Sequence, residues 1–488
     1  MHKATKKNKA RPQEVTSLMM TRVTLWPLFA SILATALFYL PGAHAQELSV
    51  TALKLAKPGQ IKGTLDLNYD AFPDSDKPYF GAKEKTSGLT TIGASVVGQS
   101  NDNFVDGSWF YSSQEDFHYF DVREASHDFH RENYNIWFGR HLEEWSQADS
   151  FWRMGYWQPQ FNWDKLRPDE NGLTGVFVQT DLDNSVKVSV FVTPIYLPSM
   201  GANFREQNDQ IVSNNPWFKT PPPVVDLFKR ATDVHVSIDS PSVPDTVFKP
   251  SIALRSEIHA ENDTWLRGSY AYKPMNSPIL GYSYYLTALA SSTLMQATVE
   301  PQFIYHHIAT IESQMKTGDV AIIPSVTYDA PQVKDTPAQW IAQDMAPSVL
   351  ASLTLNWHPD GSRRDVIYGG VMYDWTDFPP DRGENAQSAS QFELRPTWLS
   401  AIRMGFDHSQ EKAQGRELGY GVEGTVDPRQ NGGVLLSQVR YRWSRELQTR
   451  ARADILGVFS DASNPYSTGF IQTYHANSTV GLDVSYVY

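Results

Sequence analysis

Cysteine is absent from this chain, and no long apolar run follows residue 45. The first absence excludes a disulfide framework, thiolate metal sites and lipoprotein processing. The second excludes a membrane-spanning helix, which needs about 20 consecutive apolar residues. Positive charge is also short, with 42 Lys and Arg against 54 Asp and Glu and a formal net charge of −12. That balance argues against a nucleic-acid partner. There is no glycine-rich phosphate loop and no spaced metal cluster. His306, His307 and Ser313 share a strand-like segment, but no spacing pairs a nucleophile with a base. The sequence therefore reads as a non-enzyme without cofactor or metal. Its loop acids Asp74, Asp76, Asp377 and Asp381 read as solvated rather than as a Ca²⁺ site.

What is present begins with an export signal. Lys3, Lys6, Lys7, Lys9, Arg11 and Arg22 face one acid, Glu14. An apolar run from Val23 to Leu40 follows, then Pro41-Gly42 and Ala43-His44-Ala45 before Gln46. Positive region, apolar region and small-residue site predict cleavage after Ala45. The leader (1–45) carries net +5, so the mature chain (46–488) moves from −12 to about −17. A closed barrel can hold such charge in its lumen and loops. Aromatics at 12 %, including 14 Trp and 23 Tyr, suit girdles at two membrane interfaces.

Period-2 alternation dominates the mature chain. Over Ser478–Tyr488, Val480, Leu482, Val484, Tyr486 and Tyr488 share one face, and Thr479, Gly481, Asp483, Ser485 and Val487 the other. The same pattern runs through Val349–Trp357, Ile367–Trp375, Trp398–Phe406, Leu418–Val426, Val439–Trp443, Ile455–Phe459 and Val186–Val192. Trp398 is placed among the outward residues of its segment. Membrane residence without spanning helices requires a closed barrel. The prediction is an all-β fold, a single closed antiparallel transmembrane β-barrel. About 24 residues per strand and connection give about 18 strands, with 16 as the second choice. Turns at 358–363 and 444–449 fall on the side of the C-terminus, and loops at 376–388, 427–433 and 461–467 on the other. The aromatic terminal strand resembles the closing strand of Gram-negative outer-membrane barrels. That resemblance implies an outer-membrane location and the barrel-assembly machinery as a partner.

The stretch 121–182 contains D-V-R-E-A-S-H-D-F, Y-N-I-W-F-G-R-H-L-E-E-W-S-Q-A-D-S and N-W-D-K-L-R-P-D-E-N-G. It resembles the front half of a group of outer-membrane barrels that includes the alginate-export porins and, more weakly, the capsule-anchoring Wzi barrels. The resemblance implies roles for Arg123, Glu124, Gly139, Arg140, Trp145, Asp149, Asp164 and Pro168. The chain departs from the alginate porin in lacking a basic balance. Read from the residues alone, Gly139 allows a close backbone approach, and Arg140 is placed to pair with an acid such as Glu124.

Residues 141–170 are too long and too aromatic for a solvated loop and should fold into the lumen or pack as a lid. Two readings stay open. Trp145, Trp152, Trp157 and Trp163, with Asp149, Arg153, Asp164 and Arg167, suit a sugar-binding surface; the same aromatics suit the core of a plug. The alternation also points Arg395, Arg403, Arg440, Arg442, Arg450, Arg452, Glu423 and Asp454 inward. These charges either set up a transverse field or pair across a filled lumen. Loop 197–230 is expected to be external or constricting, with a short helix at Val224–Arg230. Two functions follow: a porin-like channel for polar solutes or glycans, or a largely plugged barrel whose loops bind surface polysaccharide. The implied partners are outer-membrane lipid or lipopolysaccharide and a polar solute or polysaccharide.

Overall fold

The computed structural model describes residues 60–488 apart from 74–86, 101, 184, 219, 222, 228–229, 261–262, 289–292, 333–339, 343–346, 360–363, 376–396, 413–414 and 460–468. The expected leader, the four loop acids and Arg395 lie outside the described residues.

Period-2 segments become strands wherever one face meets lipid and the other the lumen. The first half holds β1 (Gln60–Ala71), β2 (Gly88–Gln99), β3 (Asn103–Ser112), β4 (Phe117–His130), β5 (Tyr134–His141), β6 (Leu173–Asp181), β7 (Val186–Thr193), β8 (Ser251–His259) and β9 (Trp265–Pro274). The second holds β10 (Tyr305–Thr317), β11 (Val320–Pro331), β12 (Ser348–Trp357), β13 (Asp365–Asp374), β14 (Ser400–Glu411), β15 (Glu417–Asp427), β16 (Gly432–Arg442), β17 (Leu447–Val458) and β18 (Thr479–Val487). Each pairs antiparallel with the next, and β18 returns to β1 from Thr64↔Val487 to Ala71↔Val480, so 18 strands close without an edge. On β1, Leu65, Leu67 and Tyr69 are exposed outside while Thr64 and Asp70 are buried inside. On β18, Val480, Leu482 and Tyr486 face out, and Thr479 and Asp483 face in.

The eight connections at the rim that carries the C-terminus span 2–7 residues. The nine at the opposite rim span 4–57. This asymmetry matches the expected division of turns and loops.

Two local expectations fail. Val224–Leu227 is a strand, not a helix. It pairs with Arg230–Ile238, which runs parallel to Thr293–Gln302 in a five-stranded sheet built from three long-rim loops. Two adjacent β-branched valines favour that extended state once a partner strand is present. Trp398 precedes β14 and turns inward, 4 % exposed, with its ring against Phe470. The outward alternation holds only once the strand has begun, at Ser400.

Candidate functional site

The connection 142–172 enters the lumen as a folded plug. Its helix α1 (Gln147–Trp152) starts at Ser146, whose hydroxyl accepts from the Asp149 amide at 3.2 Å. That is the cap a serine three residues before an acid can make. The barrel completes the cap. Glu312 of β10 accepts from the Ser146 hydroxyl and the Gln147 amide, each at 3.1 Å. Arg153 ends the helix in the left-handed region at φ 55°. The Asp149 carboxylate then accepts from the amides of Tyr156 (3.1 Å) and Trp157 (2.9 Å), turning the chain back on itself.

The plug has its own apolar core. Trp145 and Trp157 stack at 5.7 Å, and Trp157 donates its indole N–H to Thr310 at 3.0 Å. Trp152 lies under the Arg403 guanidinium at 5.1 Å, and its carbonyl accepts from the Trp398 indole at 3.1 Å. Trp145, Trp152 and Trp157 are at most 1 % exposed. At roughly 200 Å² per indole and about 25 cal/mol per Å², the three contribute on the order of 15 kcal/mol of gross apolar burial.

Ion pairs pin this core to opposite walls. On the β8–β10 side, Arg267 reaches Glu257 (2.6 Å), Glu312 (3.0 Å) and Glu144 (3.5 Å). Arg255 pairs with Glu143, and the Ser269 hydroxyl donates to the Trp145 carbonyl at 2.7 Å. On the β15–β17 side, Arg153 grips Glu423 through two bonds of 2.9 and 3.0 Å, and Arg167 grips Asp454 at 2.6 and 2.9 Å. Arg452 holds Asp70 at 2.6 Å and approaches Asp164 at 3.5 Å.

The plug's acids feel this setting. Burial would raise Glu143, but the His141 hydrogen bond and the Arg255 charge outweigh it and hold its carboxyl below the usual range. Burial pushes Asp164 up to about 6 against the pull of Arg452. Burial, reinforced by the nearby Asp149 charge, pushes Glu170 up to about 7.

The charges expected in the lumen are there, apart from Arg395, and they are paired. Arg440 and Arg442 each reach Glu417 at 2.8 Å, Arg450 reaches Asp483 at 2.5 Å, and Arg403 comes within 3.6 Å of Glu423. The expected loop residues divide. Trp145, Trp152 and Trp157 are core, so their faces are not open for stacking on a ligand. Trp163 sits near the long-loop rim and donates to Glu115 at 2.8 Å.

The β4–β5 motif is partly rearranged. Gly139 has φ 114°, and a Cβ there would strike the Ala125 carbonyl, so the close approach is real. That distortion re-aims Arg140, which donates to the Gly172 carbonyl at 3.0 Å, while Glu124 takes His141 at 2.5 Å instead. Arg123 reaches Asp106 at 3.4 Å.

Sequence reasoning missed Glu312, Arg267 and Thr310. It also missed what inward glycines do on β14 and β15. The Tyr368 ring lies flat across Gly405, and the Asp407 carboxylate across Gly421; a Cβ at either glycine would strike them. Glycine at an inward position was the available signal. A small gap, about 10 Å³, lies between plug and wall, lined by Arg153, Lys165, Trp398, Arg403, Glu423 and Phe470 among others.

No family model and no curated protein matches this sequence. Among solved structures, the chain is similar to OccAB3 of Acinetobacter baumannii, with 10% identity, 88% of this chain and 98% of that chain covered, and a TM-score of 0.43. It is similar to OccK2 (OpdF) of Pseudomonas aeruginosa, solved in complex with glucuronate, at 8% identity, 88% and 97% coverage and a TM-score of 0.41. It is also similar to a loop-deletion form of OmpT, an outer membrane protein of Vibrio cholerae, at 9% identity, 88% and 98% coverage and a TM-score of 0.34.

Proposed function

We propose that this protein is an outer-membrane diffusion channel for small polar solutes, constricted by its inserted plug. A secretory leader and the barrel-assembly machinery would bring it to that membrane, where lipid and lipopolysaccharide surround its apolar exterior. The observation that carries this reading is the treatment of the β13–β16 wall. Tyr368 and Asp407 lie down over Gly405 and Gly421 rather than crossing the lumen. Arginines of the plug, of this wall and of neighbouring β17 keep water access, with side chains 35% (Arg153), 22% (Arg167), 31% (Arg442) and 33% (Arg450) exposed. Fixed charges beside a narrow polar path are how a pore orders polar solutes without binding them tightly.

A second reading has its own support. The plug is anchored to both walls and has a dry core, as a closed barrel that binds surface polysaccharide through its loops would require. Planar-bilayer recording separates the two. The channel reading expects stable unitary openings in KCl. Silence at high protein density would leave the closed, glycan-binding barrel.

A further inference from the structure

The connection between β7 and β8 does more than supply strands to the outer sheet. Its turn Asn214–Phe218 crosses the mouth of the barrel. Asn214 Nδ2 donates to the Gln114 carbonyl in the β3–β4 turn at 2.6 Å. Asn215 Nδ2 donates to the Trp163 carbonyl of the plug at 3.3 Å. The Pro216 carbonyl accepts from Asn477 Nδ2, just before β18, at 2.7 Å. Counted back through β1, β18 lies seven steps from β7 in a ring of 18, so the turn reaches nearly the opposite wall. There Trp217, 3% exposed, sets its ring against Tyr474 at 5.4 Å. The landing site is itself fixed, because Lys165 of the plug donates to the Tyr474 hydroxyl at 2.8 Å and the Ile471 amide donates to Gln430 at 3.1 Å. Two successive residues thus serve different bodies. Trp217 packs into the core shared by plug and wall, and Phe218 packs with the core of the outer sheet around Ile211, Val234 and Val236.

We infer that Asn214–Trp217 is a latch on the outer mouth. Plug and turn both obstruct the lumen, but their tethers differ in kind. The plug is tied by paired charges such as Arg153–Glu423 and Arg167–Asp454, each through two bonds. The turn is tied by neutral amide-to-carbonyl bonds and one inserted ring. Charge-assisted, bidentate bonds are about twice as strong as neutral ones, so the turn lets go before the plug does. Withdrawal of Trp217 from Tyr474, with loss of the three asparagine bonds, uncovers the mouth between the outer sheet and the β17–β18 connection. The plug stays in place and keeps the path narrow. The inference rests on the channel reading and gives that channel its gate.

The test uses the full-length barrel in planar bilayers with KCl. Trp217→Ala should raise the ratio of open to closed dwell times more than about tenfold, since burying an indole is worth more than a tenfold shift in an equilibrium. Trp217→Phe, which keeps a ring, should raise it less. Heat-modifiable migration in gels checks that both variants fold. The chain has no cysteine, so Pro216→Cys with Asn477→Cys introduces the only two thiols. Bridging them with a reducible bismaleimide should hold the barrel closed, and reductant should restore its openings. Wild-type dwell times in Trp217→Ala, or a bridged barrel that opens as freely as the unbridged one, would overturn the latch. A wild type silent in KCl overturns the channel reading instead. The latch is then decided by spin labels on the same two cysteines in detergent: a short and a long distance together support it, and a single short distance overturns it.

Discussion

The two walls that hold the plug solve the same problem in different ways. On the β8–β10 wall, one arginine, Arg267, is 5% exposed and gathers three carboxylates, two from the barrel and one from the plug. On the β14–β17 wall the work is spread over separate pairs, Arg153–Glu423, Arg167–Asp454 and Arg452–Asp70, and two of these arginines, Arg153 and Arg167, keep contact with water. The first arrangement concentrates charge in a desolvated node and fixes position. The second distributes it beside open space. A node that loses its centre leaves several buried charges uncompensated, whereas a distributed row loses one link at a time. The plug is therefore held by a desolvated node on one side and by separate, partly hydrated pairs on the other.

The largest expected break in this contrast is Arg267→Ala. It strands Glu257 and Glu312 and should cost about 3–5 kcal/mol, read as a fall in the temperature of heat-modifiable migration. The same variant should give larger and noisier openings, because the α1 cap at Glu312 loses its cation. An unchanged melting temperature would remove the node from the account. Next in size, Gly405→Val on the opposite wall should cost about 1–3 kcal/mol by overpacking against Tyr368. It should also lower unitary conductance by lifting that ring into the lumen, and a conductance equal to wild type would contradict the reclining-wall argument.

Third comes pH. Glu170 binds its proton more tightly in the folded plug than in the unfolded chain. The folded state is therefore favoured at low pH and loses that advantage as pH rises from about 4.5, the ordinary value, to about 7. Glu170→Gln should flatten this slope in a series of melting curves, and a slope unchanged in the variant would assign the titration elsewhere. The smallest effect belongs to Arg442→Ala. Its side chain is 31% exposed and its partner Glu417 keeps Arg440, so its removal should cost less than about 1 kcal/mol while shifting the reversal potential toward cation selectivity. A loss as large as that of Arg267→Ala would erase the difference between the walls.

The barrel was legible because its two solvents alternate. Every second residue answers to lipid, so Val186–Val192 or Val480–Tyr486 announces both the strand and its outer face. Register followed from the last strand, and with it the inward aim of Arg440, Arg442, Arg450 and Arg452. The inward folding of 141–170 was legible too, since that many indoles cannot stay in water. Partner identity was not. Arg140 misses Glu124 because the backbone at Gly139 departs from the strand conformation, and period-2 counting assumes that it does not. Val224–Leu227 forms a hairpin with Arg230–Ile238, and the sheet that holds this hairpin is completed by Thr293–Gln302, some 60 residues on and beyond the reach of local propensity. Glu312 was invisible because it sits 166 residues from the serine it helps to cap.

That last separation has a consequence in time. Arg153 meets Glu423 across 270 residues of chain, and Arg452 meets Asp70 across 382. The plug is synthesised between β5 and β6, but the strands that grip its far side come near the end of the chain. Contacts this distant in sequence form late and slowly. Until then Trp152 lacks Trp398 and Arg403, the part of the wall that completes its burial. The barrel is cast around its plug as a mould is around a pattern, so defects in the plug should appear first as slow assembly and only afterwards as altered flow.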